Sequence, residues 1–151
     1  MPAPTTYSFL DVLATIVGPG GSFNLGTGAG PAPEGITVES PNEIDKLEIG
    51  ADGSPMHSLI ADKSAKVTIR LLKTSPVNAQ LAAMMALQRA DSASHGQNTI
   101  TVMNKSSGDS LVCQQSAFAK PPTLTYATEA GMNEWEFNVG IYDPALGAGV
   151  G

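Results

Sequence analysis

Five consecutive residues, Asp91-Ser92-Ala93-Ser94-His95, hold the residue types of a hydrolase triad: a carboxylate, two hydroxyls and an imidazole. A triad works when base and nucleophile converge in space and the carboxylate orients the base. Five adjacent residues do not supply that convergence, so the segment reads as a polar loop. Glu134 and Glu136 share one strand face, yet no histidine or aromatic wall accompanies them as acid/base chemistry would need. His57 and His95 lie on separate loop-like stretches and Cys113 is the only cysteine, so no zinc-spaced cluster can be drawn and no intrachain disulfide can form. Asp52-Gly53 lacks the carboxylate series of a calcium loop. The glycine run Gly26 to Gly30 is followed by Pro31 and Pro33, whereas a phosphate-binding loop must open a helix. Asn104-Lys105-Ser106 matches a glycosylation sequon but has no secretory signal to make it meaningful. The expectation is a protein with no catalysis, no metal and no cofactor.

The elements that position these residues are organised around Lys66 to Ala90. Val67, Ile69 and Leu71 alternate with Lys66, Thr68 and Arg70, as a half-buried strand requires. Ser75-Pro76 then supplies a capping hydroxyl and a proline suited to a first helical position. The run from there to Ala90 is rich in Ala, Leu and Met, predicting one helix over about 76–90. Val77, Leu81, Met84 and Met85 form an apolar stripe, while Ala79, Ala82, Ala83 and Ala86 make the opposite side small and uncharged. Two arrangements follow: a helix sunk in its own fold, or one that packs its alanine side on a neighbouring subunit.

The rest reads as strands and turns. Thr6 to Val17 predicts a long strand, apolar on both faces and hence buried on both sides. Gly18-Pro19-Gly20-Gly21 turns the chain into Ser22 to Leu25; Gly26 to Pro33 reads as a loop and Gly35 to Ser40 as a short strand. Glu43 to Ile49 and Met56 to Ile60 flank turn chemistry at Gly50 to Pro55, in an excursion long enough to suggest a function. Asn98 to Met103 and Ser110 to Phe118 form a hairpin, Lys120-Pro121-Pro122 breaks the chain, and Leu124 and Tyr126 begin another strand. Trp135, Phe137, Val139 and Ile141 point inward; Glu134, Glu136 and Asn138 point outward. Residues 1–5 form an N-terminal arm and 143–151 a Gly/Ala-rich tail, within a single domain over 1–151.

The 151 residues are 42% hydrophobic, which places the chain in the globular class. Only 15% are charged, against roughly 25% in ordinary soluble domains, so much of the surface need not face water once assembled. The formal net charge of −6 argues against a surface built to grip nucleic acid. The first residues show neither a basic n-region nor an apolar h-region, and no run approaches the ~20 apolar residues of a membrane helix. No signal peptide and no membrane contact are expected.

Several stretches, in order along nearly the whole chain, resemble the tail tube protein family of contractile-tailed bacteriophages. They are Tyr7 to Val12 with Gly18 to Gly21; Glu34 to Thr37; Ile49 to Gly53; Met56 to Ser58; Val67 to Pro76; Gly96 to Thr101; and Gly131 to Trp135. The resemblance implies a mainly β subunit, a β-sandwich or barrel flanked by one helix. Six copies would close into a hexameric ring with a continuous inner β-barrel, and rings would stack into the inner tube of a phage tail. It implies as partners further copies, the tail sheath protein, the tape-measure protein, the baseplate hub, the tail terminator and phage DNA passing through without specific binding. It places the protein in the virion, assembled in the host cytoplasm. Six copies at −6 each carry −36 per ring, which would repel DNA phosphates.

On this reading Glu43, Asp45, Glu48, Ile49, Asp52, Met56 and His57, in the excursion 43–60, are candidates for contact between rings. Ala79, Ala82, Ala83 and Ala86 are candidates for contact between subunits, and Glu39, Glu134 and Glu136 for the lumen, with a solvated outer wall as the alternative for the glutamates. Two other assignments stay open: the tube of a phage-like bacteriocin or secretion system, and a monomeric β-sandwich that binds a ligand through its loops.

Overall fold

The computed structural model of the chain describes residues 7–25, 31–124, 126–129 and 131–147. After a 3₁₀ turn at Phe9–Asp11 come β1 (Val12–Gly18), β2 (Gly21–Asn24), β3 (Pro31–Glu39), β4 (Asp45–Ile49), β5 (Pro55–Leu59) and β6 (Ala65–Leu72). The helix α1 (Val77–Ala90) is followed by β7 (Asn98–Asn104), β8 (Asp109–Thr123) and β9 (Met132–Ala145). Seven strands form one antiparallel sheet in the order β2-β1-β7-β8-β9-β6-β3, and β4 pairs with β5 alone. The sheet curls into a half-barrel. Ile36 of β3 thereby lines a cleft with Val12 of β1, Val102 of β7 and Leu111 of β8, although β1 and β3 lie far apart in strand order.

Alternation decides what lies inside. Ala14 and Ile16, Val67, Ile69 and Leu71, Ile100, Cys113, and Trp135, Phe137 and Val139 form one buried cluster, closed by Val77, Leu81 and Met84 of α1. Phe118 meets Trp135 edge-on at 6.0 Å and Phe137 at 4.7 Å. The Trp135 indole N–H donates to Asn78 Oδ1 at 3.0 Å, tying the sheet to the first turn of the helix. At the helix start the Val77 amide donates to Ser75 Oγ at 3.3 Å, and Asn78 Nδ2 donates to the Leu72 carbonyl at 2.9 Å.

The two long strands stagger the sheet. β7 pairs with β8 only up to Asn98 opposite Ser116, so β8 beyond Ser116 has no strand on that side. β6 pairs with β9 only from Ala65 opposite Val139, so β9 beyond Val139 has none on the other. The half β2-β1-β7 is thus shifted along the strand direction relative to the half β6-β3, leaving a notch at each of two opposite-facing margins.

This geometry corrects several expectations. The prolines at 121 and 122 do not break the chain: β8 runs through them to Thr123, because a register shift against β9 between Lys120 and Thr123 leaves both outside the ladder and β7 does not reach their other side. Leu124 and Tyr126 begin no strand. β3 starts at Pro31, inside the expected loop, with a register shift before Ile36 that Gly35 accommodates at φ 65°; residues 26–30 lie outside the described residues. Asp143–Ala145 belong to β9 rather than to the tail, paired with Ser110 to Val112; 148–151 and the arm 1–5 lie outside the described residues. β1 starts at Val12, and Leu10, Leu13 and Val17 are exposed, since a single layer covers only one side of the sheet.

Sequence reasoning also missed a buried polar pair. Gln88 Nε2 donates to Asn98 Oδ1 at 2.7 Å and to the Pro19 carbonyl at 2.9 Å, while Asn98 Nδ2 donates to Gln88 Oε1 at 2.8 Å. A Cβ on Gly18 would strike the Asn98 carboxamide, so glycine at 18 is what lets the amides meet. Replacing Asn98 with Ala leaves the Gln88 amide underbonded and costs about 1–3 kcal/mol. The check is the urea midpoint, and Gln88→Leu/Asn98→Leu should recover part of the loss.

Cys113 is buried against Ile100, and burial pushes its thiol up to about 11. The folded protein keeps a proton that the unfolded chain releases above about pH 9. Stability should therefore fall as pH rises from about 9 to about 11. Urea midpoints at pH 8 and 10.5 test this, and Cys113→Ala should flatten that part of the slope.

Candidate functional site

Residues 43–60 form the most exposed element of the molecule. Every residue from Glu39 to Ala61 is exposed, and β4 and β5 pair Asp45 with Leu59, Leu47 with His57 and Ile49 with Pro55. Pairing in register puts Leu47, Ile49, Pro55 and Leu59 on one face, together with Asp45 and His57, with Leu59 87% and Ile49 60% exposed. An isolated two-stranded hairpin is marginal in water, so such a face calls for a covering surface. The tip is set by Gly53 at φ 88° and by Asp52, whose Oδ1 accepts from the Ser54 amide at 3.0 Å; that backbone hydrogen bond holds the Asp52 carboxyl below its usual value.

The hairpin is tethered at its base. Asp62 accepts from the Ser64 amide at 2.8 Å and from Asn42 Nδ2 at 2.7 Å, and its carboxyl is lowered by the Ser64 bonds first and Asn42 after them. The Tyr142 amide donates to the Lys63 carbonyl at 2.9 Å. The hairpin therefore leaves through the notch beside the end of β9. Along it, His57 Nδ1 lies 3.0 Å from Asp45 Oδ2 and Lys46 lies 3.6 Å from Glu48. The structure thus gathers Glu43, Asp45, Glu48, Ile49, Asp52, Met56 and His57 on one projecting element.

On α1, Val77, Leu81, Met84 and Gln88 face the sheet, and Ala79, Ala82, Ala83 and Ala86 are exposed. The side of the sheet away from α1 has two zones. Leu13, Thr15 and Val17 lie beside Met103, Thr101 and Thr99 without a charge. On the other half, Glu134 lies 3.2 Å from Arg70, and Glu136 lies 3.6 Å from Lys66 and 3.4 Å from Lys120. Glu39 stands opposite Lys66 on the same face. The glutamates named for the lumen do share one face, but cross-strand lysines and an arginine balance them three against three. At the outer strands, β2 and β3 each have one side without a strand neighbour among the described residues.

The triad-like loop does not assemble. Asp91 Oδ1 accepts from the Ala93 amide at 3.0 Å and Ser94 Oγ lies 3.5 Å from Asp91 Oδ2, a local turn after the helix, and His95 bonds to neither.

A family model described as "Bacteriophage PhiTE tail tube protein" matches residues 4–147. No curated protein matches the chain in sequence. Among solved structures, the chain is similar to one in the sheath–tube complex of an extracellular contractile injection system, PVC, in its extended state. That match has a TM-score of 0.55 at 8% identity over 95% of this chain and 92% of that one. It is similar to a chain of the anti-feeding prophage tube-terminating cap, with a TM-score of 0.56 at 6% identity over 97% and 95%. A chain of the anti-feeding prophage baseplate gives 0.53 at 9% identity over 98% and 99%. At these identities the likeness is one of fold.

Proposed function

Since this chain belongs to the bacteriophage PhiTE tail tube protein family, as a structural tube subunit and a virion component, we propose how its surfaces build the tube. Six copies close into a ring, rings stack, and the sheet becomes a continuous barrel around a lumen. The observation that carries this is the pair of open margins: β2 and β3 each have one side without a strand neighbour among the described residues, and a wholly exposed hairpin bearing Leu47, Ile49 and Leu59 projects from the sheet. Strand borders of this kind attract other strands, and a heterologous contact that closes gives a ring. The alanine side of α1, Ala79, Ala82, Ala83 and Ala86, packs on a neighbouring subunit. The hairpin 43–60 reaches the adjacent ring.

Glu39, Glu134 and Glu136 face the lumen as members of a charge-balanced surface. That surface neither grips DNA phosphates nor carries the net negative charge of the chain. The partners are further copies, the sheath, the tape-measure protein, the baseplate hub, the tail terminator and DNA in transit. Assembly takes place in the host cytoplasm, and the subunit catalyses nothing. Negative-stain imaging of concentrated protein should show hollow tubes or six-fold rings. Lone particles at all concentrations, with an initiating complex supplied, would overturn the reading. A tube from an injection system without a packaged genome would look the same, and DNA content of the particles separates the two.

A further inference from the structure

We propose that the groove beside the last turn of α1 receives the β4–β5 hairpin of a second copy of this chain. The inference rests on the tube reading above and names the surface the hairpin meets.

The groove has a volume of about 230 Å³. Met85, Phe118 and Pro121 give it an apolar floor, Arg89 and Lys120 supply its cations, and His95 lies beside them. It borders the stretch of β8 beyond Ser116, whose edge no strand covers. Lys120 shares Glu136 with Lys66, but the Arg89 and His95 side chains have no ion pair or hydrogen bond with another described residue. Two of the eight Lys and Arg residues of an acidic chain therefore line one apolar groove, one of them unengaged.

The hairpin is the chemical complement. Residues 43–60 carry Glu43, Asp45, Glu48 and Asp52 against Lys46 alone, beside an exposed apolar face. Complementary charge of this kind fixes partner and register. Placement agrees. The hairpin leaves past the margin where β3 and β6 meet the excursion, and the groove lies past the opposite-facing margin, where β7 begins. From Asn42 to Gly50 the hairpin spans roughly 26 Å at the ordinary rise of a strand. A subunit with a projecting element at one margin and its receptor at the other stacks head to tail.

The test uses the full chain. Arg89→Glu and Glu48→Lys lie on exposed positions and should leave the circular dichroism and urea midpoint unchanged. Each alone should raise the protein concentration needed for tubes at least tenfold, and the double variant Arg89→Glu/Glu48→Lys should return it to within about threefold of the parent. In tubes of Arg89→Cys/Glu48→Cys, oxidation should give disulfide-linked dimers that neither single variant gives. Parent-like tube formation by Arg89→Glu, or a double variant that is neither rescued nor cross-linked, overturns the groove assignment. If deletion of Ala51 to Met56 still abolishes tubes in that case, the hairpin reading survives without this groove; if the deletion also leaves normal tubes, both fall.

Discussion

A chain lacking Ala51 to Met56 should fold about as stably as the parent and form no tubes. The segment contributes nothing to the core, since every residue in it is exposed and β4 and β5 pair with each other and not with the large sheet. Surface changes of this kind ordinarily move stability by no more than about 0.5 kcal/mol. What the deletion removes is the turn and the first two of the five residues of β5, Pro55 and Met56, and with them the pairing that holds Leu47, Ile49 and Leu59 on one projecting face. Sedimentation should find the variant as free subunits or single rings at concentrations where the parent pellets as tubes. Normal tubes from the deletion variant would refute the role assigned to the hairpin.

Trp135→Ala should do the reverse, unfolding the subunit rather than its assembly. Trp135 is 1% exposed, packs against Phe118 and donates its indole N–H to Asn78. Truncation removes a large buried surface and leaves a cavity between β9, β8 and α1, a loss of about 3–5 kcal/mol. Against a total of about 5–15 kcal/mol for a domain, that is enough to populate the unfolded chain. The urea midpoint reads the effect directly, followed by tyrosine fluorescence or circular dichroism because Trp135 is the only tryptophan. A shift below about 1 kcal/mol would show that the packing described around Trp135 is not what holds the sheet to the helix.

Local patterns carried most of the fold. Lys66 to Leu72 and Glu134 to Val139 alternate strictly because one face of each strand is buried, and both appear as strands with the expected faces inward. The helix from Val77 to Ala90 was legible because no other stretch combines a proline start with good helix formers. Glu43 to Ile60 was legible as an excursion, and the hairpin within it came from turn chemistry at Gly50 to Pro55. What stayed hidden depends on partners distant in sequence. Pro121 and Pro122 look like breakers until the stagger of β7 frees one edge and the register shift against β9 frees the other. Gln88 looks like one more residue of the uncharged side of the helix until Asn98, Pro19 and Gly18 meet it. The groove joins the end of α1 to a late part of β8, and no spacing in the chain announces it. Apolar residues on both faces of β1 were read as double burial; the subunit covers one face only and leaves Leu13 and Val17 open.

The proposed assembly rests on that incompleteness: in it, the strands β2 and β3 and the hairpin are covered by other copies. Hydrogen exchange measured on the subunit and on assembled tubes tests it most directly. Peptides covering Gly21–Asn24, Pro31–Glu39 and Asp45–Leu59 should exchange quickly in the subunit and slow by at least tenfold in tubes, while peptides covering Trp135 to Val139 are slow in both. Tubes in which those three segments exchange as fast as in the free subunit would contradict the account.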